Sequence, residues 1–413
     1  MSKKVLYLSY DGLTDHLGQS QILPYVKGLS KIGYQFTILS CDKRDRYKKL
    51  KDHIQELCDE DNIEWVSIPF TTRPPILSKF LDRRRFRRKV LQLHHKNNYD
   101  LVHCRSYVPA EVGLMMKQKY SVKFLFDMRG FWADERVEGG NWNTNYPFYN
   151  YLFKYFKRKE KIFLENADCT ICLTNAAKNE IHSWSHLANN PVPIATIPCC
   201  VDVSHFNPDN IKNEEKENLK RELKINKEDF IVSYLGSIGT WYMLNEMLDF
   251  FKIFLETSPH AKLLFITGDD EKKIRNVANK KQIPQEKIII RSGNRIEVPL
   301  FLSLSELSIY FIRPTYSKIA SSPTKQGEIM AMGIPSISNQ GIGDIAEISI
   351  KYNCGTFIND FTNEEYKQAI SSISKINIRE IRTGAVSFYN LQNGIELYNK
   401  VYSEMFSLNN RRF

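Results

Sequence analysis

The residues best suited to chemistry stand together late in the chain, in Ser321-Ser322-Pro323-Thr324-Lys325-Gln326-Gly327-Glu328. Ser322 has the side chain of a helix N-cap, and Pro323 suits the first helical position. Lys325 then falls in the first turn, beside Thr324. A cation there opposes the helix dipole and is favoured only if an anion binds the same N-terminus. Glu328 follows three residues on, on the same face. Free N–H groups and a lysine suit a phosphate, and a carboxylate one turn deeper suits a sugar hydroxyl. Arg313 and Lys318, in the preceding loop, add positive charge. The bland alternative is a solvated Lys/Glu pair.

Two glycine-containing loops suit the same kind of ligand. Asp11-Gly12-Leu13-Thr14-Asp15-His16-Leu17-Gly18-Gln19-Ser20 follows an apolar strand and enters a helix. It is not G-x-G-x-x-G, because Thr14 stands where the second glycine would be, so a dinucleotide site is poorly supported. Gly236-Ser237-Ile238-Gly239-Thr240-Trp241-Tyr242 opens the second half of the chain in the same way. Its glycines let the backbone approach a ligand closely, with Ser237 and Thr240 in the same turn. Cys169 and Cys172 form a C-x-x-C, but the run around them reads as a buried strand. Positions three apart on a strand face opposite ways, so no metal site is expected.

These residues need elements to position them. The chain has 413 residues, enough for two or three domains. Its 42% apolar and 25% charged content is that of a folded protein and excludes whole-chain disorder. Eight cysteines without framework spacing point to a reduced, cytoplasmic protein. No apolar run reaches the length of a membrane span, and the start of the chain reads as a strand, not a signal peptide. Strand and helix alternate over the first hundred residues, and again from Ile231 onward, which predicts parallel, doubly wound sheets. The break lies at Ile197–Asn210, rich in proline and turn formers. The expected organisation is α/β, with Rossmann-like domains at 1–203 and 204–393, and a helix at 394–413 packing back on the first.

The net charge is +11, which favours anionic partners. Six cations surround Phe86 in Arg83-Arg84-Arg85-Phe86-Arg87-Arg88-Lys89, and Tyr155-Phe156-Lys157-Arg158-Lys159 repeats the mixture. Such runs suit an anionic membrane surface, with Phe86 entering the interface. Nucleic acid is disfavoured, since no recognition helix, zinc spacing or RNA-binding motif accompanies them. A solvated helix face is the bland alternative.

Four segments resemble family-4 glycosyltransferases of the GT-B fold. They are Leu17-Gly18-Gln19-Ser20; Glu165-Asn166-Ala167-Asp168 before a strand ending in Thr174; Ile197-Pro198-Cys199-Cys200-Val201-Asp202 with Phe206-Asn207-Pro208; and Ser322-Pro323-Thr324-Lys325 with Glu328 and Met330-Ala331-Met332-Gly333-Ile334-Pro335. The resemblance implies two facing Rossmann-like domains with a cleft between them, the first binding an acceptor and the second a nucleotide sugar. It implies retention of anomeric configuration, no metal and no cofactor beyond the nucleotide diphosphate sugar as co-substrate. Lys325 would meet the diphosphate, Glu328 the ribose, and Gly18 would approach the phosphates. Gly236, Ser237, Thr240, Arg313, Lys318, Ser322 and Thr324 complete the expected donor set.

The sequence also departs from the family. The first glutamate of its E-x7-E pair would be residue 320, which is Ala320. The basic pair expected after Gly236 is replaced by Ser237 and by Trp241 or Tyr242. The acceptor-side loop runs Asp127-Met128-Arg129-Gly130-Phe131-Trp132-Ala133-Asp134-Glu135-Arg136, where Arg129 is the expected cation and Asp134 or Glu135 the acceptor contact. Arg129, Lys325 and Glu328 are thus the catalytic candidates. The expectation is a retaining, metal-independent glycosyltransferase of bacterial polysaccharide or glycolipid assembly, cytoplasmic and peripheral on the inner face of the membrane. It would act on a saccharide or lipid-linked acceptor. Alternatives are a nucleotide-sugar epimerase of the same fold and a catalytically silent scaffold subunit.

Overall fold

A strand in a two-sided parallel sheet must be apolar on both faces. The runs Val5-Leu6-Tyr7-Leu8 and Ile231-Val232-Ser233-Tyr234-Leu235 meet that demand, and every residue in them is buried. The computed structural model describes residues 2–407. It divides into two units, one built from the chain up to Pro198 together with the segment from Leu391, the other from Cys199–Asn390.

The first unit holds a seven-stranded sheet of β1 (Lys4–Ser9), β2 (Gln35–Asp42), β3 (Glu64–Pro69), β4 (Leu101–Arg105), β5 (Lys123–Asp127), β6 (Cys169–Cys172) and β7 (Ile194–Thr196), in the order β3-β2-β1-β4-β5-β6-β7. The second holds β8 (Phe230–Leu235), β9 (Ala261–Ile266), β10 (Ile288–Arg291), β11 (Leu307–Ile309), β12 (Ser336–Asn339) and β13 (Gly355–Ile358), in the order β10-β9-β8-β11-β12-β13. All pairings between these strands are parallel, with Val5 opposite both Phe36 and Leu101. Each sheet changes direction of travel once, between β1 and β4 and between β8 and β11. In doubly wound sheets ligands gather beyond the strand C-termini at that point.

Three strands were not legible in the sequence: β3, β7 and β13. All three are sheet edges. An edge strand has one neighbour and less to bury, so its apolar signal is weak. The helix that the loop after β1 was expected to enter is two helices, His16–Gln21 and Leu23–Lys31. Pro24 lacks an N–H and its ring excludes the preceding carbonyl, which ends the first helix and starts the second. The last helix, Leu391–Ser407, packs on Leu23–Lys31. Gly28 makes room for it, since a Cβ there would come within 2.8 Å of Ile395 Cγ1.

The loop after β1 is fixed from beneath. The Thr14 N–H and hydroxyl donate to Asp42 Oδ1 at 2.9 and 2.7 Å, and the Ser40 and Ser67 hydroxyls donate to Oδ2 at 2.6 and 2.8 Å. Gly12 lies against the same carboxylate: a Cβ there would sit 2.7 Å from Oδ1. Gly18 closes the loop on itself, for a Cβ would lie 2.6 Å from Leu13 Cα. Asp42→Ala leaves several buried donors unpaired and should cost roughly 3 kcal/mol. Urea denaturation checks this, and a loss below about 1 kcal/mol would show that the carboxylate does not hold the loop.

Candidate active site

β8 ends at Leu235 and the chain turns at Gly236, whose φ is +117°. That backbone conformation favours glycine, and the space beside it is narrow. A Cβ on Gly236 would lie 2.9 Å from the Lys325 ammonium. Lys325 is the second residue of the helix Thr324–Ala331 and is buried. Its Nζ donates to the Tyr234 hydroxyl at 3.2 Å and lies 3.8 Å from the Tyr242 ring centroid and 4.4 Å from that of Tyr234. The two π faces partly replace the water the ammonium has lost. Burial still dominates and pulls its pKa down to about 7, against the opposing field of Glu328.

One of the aromatic residues at 241 and 242 stands, with Ser237, where a basic pair was expected. Tyr242 carries Lys325. Trp241 carries the two cations from the loop after β11: Lys318 Nζ is 3.6 Å and the Arg313 guanidinium 4.9 Å from its ring centroid. The structure therefore brings Gly236, Lys318, Arg313 and Lys325 to one edge of the sheet, where it reverses direction. Ser237 and Thr240 lie exposed on the intervening loop. Ser322 differs from its expected role. The helix begins one residue later, with Pro323 at the N-cap position, and no side chain caps it. The Ser322 hydroxyl instead accepts from the Cys199 N–H at 3.2 Å. Proline at the cap leaves the first N–H groups of Thr324–Ala331 without a side-chain acceptor.

Glu328 sits one turn along from Lys325, with Arg295 Nη1 3.4 Å from its Oε1. Burial raises its pKa, and Arg295 and Lys325 oppose the rise. Arg295 is itself placed by the Phe206 ring, 5.4 Å away, and by His205, whose Nε2 donates to the Arg295 carbonyl at 2.9 Å. Ala320, where an acid was expected, ends a 3₁₀ turn, Tyr316–Ala320, and is buried.

In the first unit, Arg129 has a φ of +61° and places Nη1 3.8 Å from Asp127 Oδ1. Asp127 is fully buried at the end of β5. Its Oδ2 is 3.4 Å from His103 Nε2, 3.9 Å from Arg105 Nη1, and accepts from the Tyr398 hydroxyl at 3.3 Å. Burial pushes this carboxyl's pKa up, but Arg129, then His103 and Arg105, outweigh it and hold it below the usual value. Burial keeps His103 neutral by lowering its pKa. A neutral imidazole donates from one nitrogen only. Nε2 facing the carboxylate is the donor, so Nδ1 accepts from the Tyr402 hydroxyl at 2.7 Å. Asp134 is tied into a different network, with Lys157 Nζ 2.9 Å from its Oδ2 and 2.5 Å from Glu160. Glu135 lies half-buried beside it in the helix Trp132–Glu138.

The sequence profile named Glycosyltransferase Family 4 matches residues 21–205, and that named Glycosyl transferases group 1 matches residues 215–384. The chain is a GT-B glycosyltransferase of this family. No curated protein sequence matches it. Among solved structures, a sucrose-phosphate synthase from Thermosynechococcus elongatus is similar at a TM-score of 0.71 and 14% identity, covering 98% of this chain and 100% of its own. Anabaena HepE in complex with UDP and glucose is similar at 0.70 and 11%, covering 98% and 100%. A glycosyltransferase from Rickettsia africae gives 0.69 and 15%, covering 98% and 99%. At these identities the likeness is one of fold.

In this glycosyltransferase the basic segment of the helix Pro75–Asn97 is only partly a surface. Arg84, Arg85, Arg87 and Arg88 are exposed. Phe86, expected at an interface, is fully buried and packs edge-on to Tyr10 at 6.3 Å. The helical period turns it inward between its exposed neighbours. Among the described residues no helix is long and apolar enough to cross a membrane. The residues that sequence reasoning missed are Arg295, Tyr234, Asp127, His103 and Arg105. Arg105 and Asp127 had a readable signal: each is a charge closing a largely apolar strand.

The lowered pKa of Lys325 makes a testable statement about stability. An unfolded lysine titrates near 10.5 and the folded one near 7, so the unfolded chain binds the extra proton between those values. Stability lost to the buried cation is greatest below pH about 7 and recovers as the pH rises toward 10.5. Lys325→Met keeps the ring contacts and removes the charge. It should melt above wild type at pH 7, with the gap closing at alkaline pH. A gap independent of pH would show that the ammonium is not desolvated.

Proposed function

We propose that this glycosyltransferase moves a sugar, with retention of anomeric configuration, from a nucleoside diphosphate donor to a saccharide or lipid-linked acceptor in bacterial polysaccharide or glycolipid assembly. The observation that carries the reading is the group of cations around the Gly236 turn. A diphosphate at the N-terminus of Thr324–Ala331 would meet its uncapped N–H groups and the Lys325 ammonium, with Lys318 and Arg313 held nearby on Trp241. Donors fixed before the reaction stabilise the charge that grows on a departing diphosphate without reorganisation. Glu328, held by Arg295, is the acceptor for a ribose hydroxyl. UDP in the Anabaena structure supports a nucleotide-sugar donor.

Arg129 is the cation we assign to the acceptor-binding unit, oriented by Asp127 and its ring of partners. Asp134 and Glu135 are the acceptor contacts. The reaction needs no metal in this reading. The exposed arginines of Pro75–Asn97 support the further reading of a peripheral enzyme on the cytoplasmic side of an anionic membrane.

Lys325→Ala should weaken nucleoside diphosphate binding by roughly 10- to 150-fold, the value of one charge-assisted hydrogen bond. Calorimetry with a panel of nucleoside diphosphates measures it, and unchanged affinity would remove Lys325 from the donor site. Glu328→Gln should weaken a full nucleoside diphosphate more than inorganic diphosphate. Turnover should survive EDTA, and the product should keep the donor's anomeric configuration. Loss of activity restored by magnesium or manganese, or an inverted product by NMR, would contradict this reading.

A further inference from the structure

The first unit contains a groove of about 720 Å³ between the helices Pro75–Asn97, Tyr107–Tyr120 and Pro147–Asn166. That is the size of a small-molecule site. Its walls are apolar, formed by Val112, Met115 and Leu152, while Arg84, Arg87 and Lys159 stand around it. The one carboxylate lining it, Glu111, is already neutralised. Arg83 pairs with it, and the Tyr155 hydroxyl donates to it at 2.6 Å. The polar floor is therefore internally satisfied, and the rim cations give the groove its net sign. Phe80 and Tyr151, also part of the lining, are 65% and 62% exposed. Large aromatic surfaces left in water beside a basic rim fit the boundary between lipid headgroups and acyl chains.

We propose that this groove is a binding site for one anionic membrane phospholipid. Arg84, Arg87 and Lys159 hold the phosphodiester, the first acyl segments lie against Met115 and Leu152, and Phe80 and Tyr151 enter the surrounding interface. The proposal rests on the reading of a membrane-facing acceptor unit and deepens it: attachment is by a saturable pocket, not by a diffuse positive surface. Charge complementarity favours a phospholipid over a neutral amphiphile. The apolar walls favour it over a free phosphate, which has nothing to place there. The helices Pro75–Asn97 and Tyr107–Tyr120 follow β3 and β4, and Pro147–Asn166 lies between β5 and β6, so the groove belongs wholly to the first unit.

The test is flotation of the full chain with vesicles of phosphatidylcholine alone and with added phosphatidylglycerol. Three variants are compared: Arg84→Ser/Arg87→Ser/Lys159→Ser in the groove, Arg88→Ser/Lys154→Ser/Lys161→Ser outside it with the same loss of charge, and Met115→Trp, which fills the groove without changing charge. The groove triple should lose on the order of 100-fold in affinity for the anionic vesicles, from roughly fivefold per cation near the surface. The outer triple should lose no more than about fivefold, and Met115→Trp should abolish saturable binding of short-chain phosphatidylglycerol. Circular dichroism of each variant reports whether it is folded. Equal losses in the two triples would overturn the groove and leave a general basic surface. Displacement from vesicles by inorganic phosphate as readily as by short-chain phosphatidylglycerol would also overturn it. Failure of the wild-type chain to prefer anionic vesicles would overturn membrane attachment itself.

Discussion

A lysine ammonium held out of water against two tyrosine rings is the constraint on which the second unit's site depends. A buried cation is tolerated only with compensation, and here it is one hydroxyl, two π faces and the field of Glu328, which is shared with Arg295. The arrangement dictates its neighbours. Glycine at 236 supplies the positive φ of the turn and leaves room for the ammonium. The rings of Tyr234 and Tyr242 carry the charge. Trp241 is then free to gather Lys318 and Arg313 from the loop after β11. A site assembled in this way stores unfavourable electrostatics in the empty protein, and a diphosphate would relieve it.

The first unit solves a different problem with the same means. Asp127 is a fully buried carboxylate, and it is stabilised by two arginines, a neutral histidine and a tyrosine. The tyrosines come from the last helix of the chain. Tyr398 and Tyr402 reach Asp127 and His103, so a segment nearly three hundred residues away in sequence completes the cluster that orients Arg129. Returning the chain to the first unit at Leu391 is thus part of how that arginine is positioned.

Much of this was readable in advance. The parallel sheets followed from the alternation of strands and helices in each half of the chain. Lys325 was singled out as a cation in a first turn, where helix electrostatics disfavour it. Three of the four edge strands, β3, β7 and β13, were missed because they bury less. Trp241 and Tyr242 looked like losses of charge, since nothing local reveals that an aromatic side chain is holding a lysine from another loop. The inward turn of Phe86 was hidden by the density of arginine around it. Arg295 and the partners of Asp127 were invisible for a related reason: a buried ion pair or charge cluster joins residues distant in sequence, and no spacing rule connects them.

The central claim is that Lys325 is uncharged above neutral pH in the empty protein and that a diphosphate restores its proton. Calorimetry of nucleoside diphosphate binding at pH 8, in two buffers of different ionisation enthalpy, measures this directly by counting protons taken up. The account predicts uptake of about one proton per site in wild type and none in Lys325→Met. Binding without proton uptake in the wild-type protein would contradict it.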